Sequence, residues 1–204
     1  MSTAADPRTA HSPLAPVLGT AAVVFSALYF LSDILELLQG GFSTPQLLLT
    51  YVAEAAIPVF VLGLYAAQRP HIGTLGLLGA VGYAYAFVFF TGTVLLALVN
   101  QSPDWDTLVG GLEPWVTMHG VLMLAAGSAF GVAVARAGVL PRWTGQVLVA
   151  GVVLVALGSF LPAPVQVICA GVRDLALAGM GLSLLARARH IHTTGERNDV
   201  HVHR

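Results

Sequence analysis

Six stretches of roughly twenty apolar residues run through this chain of 204 residues, and ionisable side chains sit inside them. A run of about 18 or more apolar residues has the length of a helix that crosses a bilayer. In hydrocarbon only a helix or a closed barrel satisfies its own backbone hydrogen bonds. The pattern therefore points to an all-α, polytopic membrane bundle of six transmembrane helices. Composition agrees. Hydrophobic residues make up 56% and charged residues 9%, where a soluble domain carries about 25% charge. With that little polar surface the chain takes lipid as its solvent, and its expected location is the cell membrane, as a multi-pass protein.

The expected spans are about 14–38, 46–68, 72–99, 114–136, 143–161 and 164–187. A polar leader, 1–13, precedes the 14–187 membrane domain, and a polar tail, 188–204, follows it. The first apolar run lacks a small-residue cleavage signature and contains Asp33 and Glu36, so it reads as a retained span. All nine basic residues are arginines. Arg69, Arg136 and Arg142 fall in the second and fourth connections, and Arg187, Arg189, Arg197 and Arg204 follow the last span. The other connections have none, and the third is acidic. By the positive-inside rule both termini are expected to be cytoplasmic. That third connection, 100–113, reads as a small ordered cap or re-entrant turn. The spans Gly63 to Gly73 and Gly131 to Gly145 echo one another weakly, either as a duplication or as two similar hairpins.

Intraspan charges are costly and are functional candidates by default. Ser26, Tyr29, Asp33 and Glu36 share a stripe of the first span, since three- and four-residue steps return to one helix face. Tyr51, Glu54 and Pro58 lie on one face of the second span, and Pro58 is expected to open space beside Glu54. Tyr83, Tyr85, Phe87 and Phe89 come from the third span, His119 from the fourth, and Gln166, Arg173 and Asp174 from the last. All of these fall in the outer half of the membrane or near its midplane, so a polar, aromatic-lined pocket under the outer face is expected. Four carboxylates facing one arginine cannot all stay ionised at low dielectric, and at least one is expected to keep its proton.

The sequence also limits what the site can hold. The single Cys169 permits neither an intramolecular disulfide nor a thiolate metal cluster. The i,i+3 spacing of Asp33 and Glu36 could chelate Mg²⁺, but one such pair is weak evidence and no metal is expected. His119 has no second intraspan histidine, which excludes bis-histidine haem ligation. No nucleotide or flavin motif is present, so no cofactor is expected. A net charge of -1 gives nucleic acid no footing. The repeated His190-Ile-His192 and His201-Val-His203 pattern reads as part of a solvated, largely disordered tail.

The stretch from Arg136 through Pro141-Arg142-Trp143 into the next apolar run resembles uncharacterised actinobacterial multi-pass proteins, which implies no activity. An all-helical bundle with an acid in the second span, Glu54, and another near the C-terminus, Asp174, is similar in outline to integral-membrane terpene cyclases of meroterpenoid pathways. In that family a Glu and an Asp are implicated in protonating a prenyl epoxide or olefin, although its members usually have seven spans. The first expectation is an intramembrane enzyme that cyclises or isomerises a lipophilic, prenyl-like substrate by proton transfer. Glu54, Asp174 and Asp33 would be its catalytic acids and bases. Arg173, His119, Tyr51, Tyr29, Tyr83, Tyr85, Phe89 and Gln166 would line the substrate, and the expected partners are a lipophilic small molecule and membrane lipid. The chain also looks similar to substrate-binding S-components of energy-coupling-factor transporters, which implies a binding or transport subunit. A scaffold whose polar residues only hold helices together is the third expectation.

Overall fold

The computed structural model describes the backbone of residues 14–202 and the side chains of residues 14–189. The 1–13 leader and the side chains of His190, His192, His201 and His203 lie outside the described residues. The described residues form α1 (Leu14–Gln39), α2 (Thr44–Ala67), α3 (Gly73–Asn100), α4 (Trp105–Val109), α5 (Trp115–Ala137), α6 (Arg142–Gly158) and α7 (Ala163–Val202). Helix ends fall within about three residues of the expected span limits, with one exception. The backbone of α7 stays helical to Val202, past the expected end at 187 and into the tail read as disordered. No proline follows Pro164 to stop it.

Helices α1, α2, α3, α5 and the Ala163–Arg189 part of α7 are long and apolar enough to cross a membrane. Helix α6 is equally apolar but has 17 residues, about 25 Å at 1.5 Å per residue. The protein is thus a multi-pass helical membrane protein. The 100–113 connection forms an ordered cap, in which the Asp104 side chain accepts from the Thr107 amide at 2.8 Å and starts α4.

The six long helices close into a ring in chain order. Each packs on its sequence neighbours, α3 continues to α5 across the α4 cap, and α1 closes the ring against α7. Lipid offers no hydrophobic drive for helices to associate, so close approach depends on small residues. A Cβ on Gly19 would stand 2.8 Å from the Gly181 carbonyl, and one on Gly131 would stand 2.7 Å from that of Gly145. These are the contacts of α1 with α7 and of α5 with α6. The interior of the ring is filled, not open. Ile57, Phe60, Val61, Leu64, Phe87, Phe130, Leu148, Leu177 and Met180 are fully buried in one continuous core.

Candidate functional site

Helices α1 and α2 form an antiparallel hairpin through Gly40 and Gly41, whose φ values of 71° and 154° suit glycine. Polar residues on α2 recur every four positions, at Gln46, Thr50 and Glu54, and so stand on one face. Those on α1 recur every three or four, at Glu36, Ser32 and Tyr29. Antiparallel pairing sets them opposite one another in register. Gln46 Nε2 donates to Glu36 Oε2 at 3.3 Å. One turn deeper the Ser32 and Thr50 hydroxyls are in hydrogen-bond contact. One turn deeper again the Tyr29 hydroxyl donates to Glu54 Oε1 at 2.5 Å. Gln46 Nε2 also reaches Thr50 Oγ1 at 3.1 Å and Ser32 Oγ at 3.4 Å.

The α7 side of the ring brings the charge that meets this hairpin. Arg173 Nε donates to Asp174 Oδ1 at 2.9 Å, and its guanidinium lies 4.6 Å from the centroid of the Tyr29 ring and 5.8 Å from that of Phe87. A cation over an aromatic face is held by the ring quadrupole, and more strongly when desolvated. Tyr83 stands edge-on to Phe87, with centroids 5.0 Å apart. Gly151 makes the placement possible, since a Cβ there would lie 2.6 Å from the Arg173 backbone. Helix α6 therefore runs directly against α7 at the arginine.

Glu54, Arg173 and Asp174 are 3%, 4% and 3% exposed. Asp33, half-buried on α1, is within electrostatic reach of Arg173, Asp174, Glu36 and Glu54. Three carboxylates thus surround one guanidinium. Pro58 has no N–H to offer the carbonyl of Glu54 one turn earlier, which leaves another acceptor at this level. Six buried polar side chains here keep an atom without a partner: Ser26 Oγ, Gln46 Oε1, Glu54 Oε2, Tyr83 OH, Arg173 Nη2 and Asp174 Oδ2. Native interiors rarely leave such atoms unmatched.

Of the expected site residues, Glu54, Asp174, Asp33, Arg173, Tyr29 and Tyr83 belong to this one cluster. The others stand apart. His119 is buried between α3 and α5, stacked on Phe89 at 3.7 Å and on Tyr85 at 5.6 Å, with Nδ1 against the Trp115 carbonyl. Tyr51 packs against the smaller apolar cluster of Leu47, Val94, Ala97 and Leu108. Gln166 is exposed and donates to the Leu161 carbonyl. Glu54, Arg173 and Asp174 are packed into the interior, with Tyr29 and Asp33 half-buried beside them. Two cavities, of about 350 Å³ beside α4 and about 450 Å³ along the start of α1, are lined by other residues.

Ser32, Gln46, Thr50 and Gly151 complete the site and were not singled out from sequence. The four-residue spacing of Gln46, Thr50 and Glu54 was the available signal for two of them. Comparison with protein-family models, curated proteins and solved structures finds no match.

Proposed function

We propose that this protein is an integral-membrane enzyme that moves a proton on a lipophilic substrate, with Glu54 as the acid–base residue. The observation that carries this reading is the Glu54 carboxyl group. One oxygen is bonded to Tyr29 at 2.5 Å, and the other is buried and unpartnered. A carboxyl held in that way suits general acid–base work, because its hydrogen-bond partner is fixed while a second oxygen stays open to substrate. Arg173 sits over Tyr29 and offsets negative charge that develops when Glu54 gives up its proton. Asp33 is the group suited to take a proton from the neighbouring carbon, which makes the product an isomer of the substrate. Asp174 is bonded to Arg173, which fits it to hold the guanidinium and not to react.

The cluster comes nearest the surface at the half-buried Tyr29 and Asp33 on α1, a helix whose other faces carry exposed Val24 and Leu31. A substrate arriving from the bilayer meets that face first. An isomerisation needs only the reacting end of the molecule at the acid. Glu54 and Asp174 are each 3% exposed, and packing that tight favours isomerisation over cyclisation of a long prenyl chain. The test is to incubate the protein in nanodiscs with a mixed isoprenoid pool and look by mass spectrometry for a product isomeric with its substrate. Wild type is expected to make it and Glu54→Gln to lose it. Turnover retained in Glu54→Gln would sink the assignment.

One observation favours a second reading. The unpartnered Arg173 Nη2, Asp174 Oδ2 and Tyr83 OH offer both donors and acceptors to a small polar ligand, as in a binding or transport subunit. A compound that co-purifies with wild type and not with Glu54→Gln, with no chemical conversion, would move the assignment there.

For topology we propose six spans, with α6 as the fifth, and both termini on the cytoplasmic side of a bacterial plasma membrane. Arg69, Arg136, Arg142, Arg187 and Arg189 gather at one end of the bundle. Trp105 and Trp115 are exposed at the other, in keeping with an interfacial aromatic belt.

A further inference from the structure

We infer that protons reach Glu54 from one end of the bundle only, along the stripe of Glu36, Gln46, Ser32 and Thr50. This rests on the reading of Glu54 as the proton-carrying acid. Glu36 is half-buried at the C-terminal end of α1, where the chain leaves the helix at Gly40. From there the contacts step inward. Glu36 Oε2 accepts from Gln46 Nε2, the same amide reaches Thr50 Oγ1 and Ser32 Oγ, and the two hydroxyls touch. Ser32, Gln46 and Thr50 are all buried, so these groups form a polar seam inside an apolar bundle.

An amide does not readily pass a proton, whereas a hydroxyl accepts one on a lone pair and releases its own. Gln46 therefore positions the seam without carrying the proton: its backbone carbonyl accepts from the Thr50 hydroxyl at 3.1 Å. Ser32, one helical turn from Glu36, takes the proton from that carboxyl through one bridging water and shares it with Thr50. Each proton taken up by the Glu36 carboxylate is matched by one delivered to the Glu54 carboxylate, and the hydroxyls end unchanged. Thr50 stands one helical turn from Glu54, and Ser32 nearly one turn from Tyr29, about 5–6 Å between Cβ atoms. One bridging water spans such a gap, and the unpartnered Glu54 Oε2 offers it an acceptor.

The opposite end is shut. Beyond Glu54, the inward positions of α2 are Ile57, Phe60, Val61 and Leu64, each 0% exposed. They pack with Phe130, Val134, Leu148, Leu177 and Met180 into one core. Gln68, the next polar residue on that face, is tied to the Leu64 carbonyl at 3.0 Å. The charged and titratable groups around Glu54 are Tyr29, Asp33 and Glu36 on α1, Tyr83 on α3, and Arg173 and Asp174 on α7. Asp33 is therefore the competing route, reached from the α1 face without passing Thr50.

The experiment is infrared spectroscopy of the protein in a lipid bilayer during exchange from H₂O to D₂O. The Glu54 carboxyl band is assigned by its loss in Glu54→Gln. Thr50→Val keeps the shape and removes the hydroxyl, and is expected to slow deuteration of that band roughly tenfold or more. Thr50→Ser restores the hydroxyl and is expected to exchange as wild type, which separates a lost relay from a disturbed fold. Exchange at the wild-type rate in Thr50→Val overturns the route, as does slowing in Asp33→Asn but not in Thr50→Val. Either result leaves the acid role of Glu54 standing. If no Glu54-dependent carboxyl band is found at any pH at which the protein stays folded, that role fails and this route fails with it.

Discussion

Arg173 and Asp174 are adjacent in sequence, and helix geometry turns their side chains about 100° apart. They nonetheless pair, because the long arginine arm curls across the helix surface to its neighbour. A buried ion pair contributes little net stability, but removing one partner leaves an uncompensated charge. Asp174→Asn is therefore expected to lower unfolding stability by about 3 kcal/mol or more, measured by thermal or denaturant unfolding in detergent. Among residues outside the spans, Asp104 carries the clearest pH dependence. Its hydrogen bonds from Thr107 hold the carboxyl below its ordinary value of 3.8. A depressed folded-state value means that the cap is fully supported above the ordinary value and is lost as pH falls below it, through the folded one. The Thr107 amide resonance, followed by NMR on acidification, is expected to move with Asp104 titration. The movement is expected to vanish in Asp104→Ala.

At the scale of helices, the hairpin of α1 and α2 and the contact of α6 with α7 do different jobs. The hairpin aligns hydrogen-bonding side chains by register, so a slip of one position would separate Tyr29 from Glu54. The α6–α7 contact depends instead on an absent side chain. Gly151 lets α6 touch the backbone of Arg173, and a Cβ there would stand 2.6 Å from Arg173 N and Cα. Backbone cannot yield as a flexible side-chain end does, so Gly151→Val is expected to force the helices apart. Overpacking of this kind costs about 1–3 kcal/mol. A lower melting temperature than wild type, together with weaker conversion in the isoprenoid test of the proposed function, would mark Gly151 as the residue that seats the arginine. Unchanged values for both would show that α6 shifts freely.

For the whole molecule, the ring of helices sets which groups share an interior, and the membrane sets which end of the ring meets which compartment. The six-span topology is tested with single cysteines introduced after Cys169→Ser. Ser102→Cys, beside α4, is expected to react with an impermeant maleimide from the outside of intact cells. Ala137→Cys and Arg189→Cys are expected to react only after permeabilisation. Reversed labelling would overturn the orientation, and labelling of Ala137 and Arg189 from opposite sides would remove α6 as a span. The helix limits, apart from the end of α7, were legible in the sequence because burial in lipid leaves a local signal, a continuous apolar run broken by Gly, Pro and Arg. The candidate acids were legible for the same reason, since Glu54 and Asp174 stand out against apolar neighbours. Their arrangement was not. Ring closure of α1 on α7 brings Tyr29 under Arg173 across more than 140 residues of chain, and no periodicity within one helix encodes a contact between two. The same closure left His119 in an aromatic stack and Gln166 at the surface, although both share the polarity that drew attention to them. Sequence by itself determined the solvent, the apolar helices and the inventory of charges, because each depends on local hydrophobicity. Only the tertiary structure decided which charges meet, because that depends on register and on where glycines let helices touch.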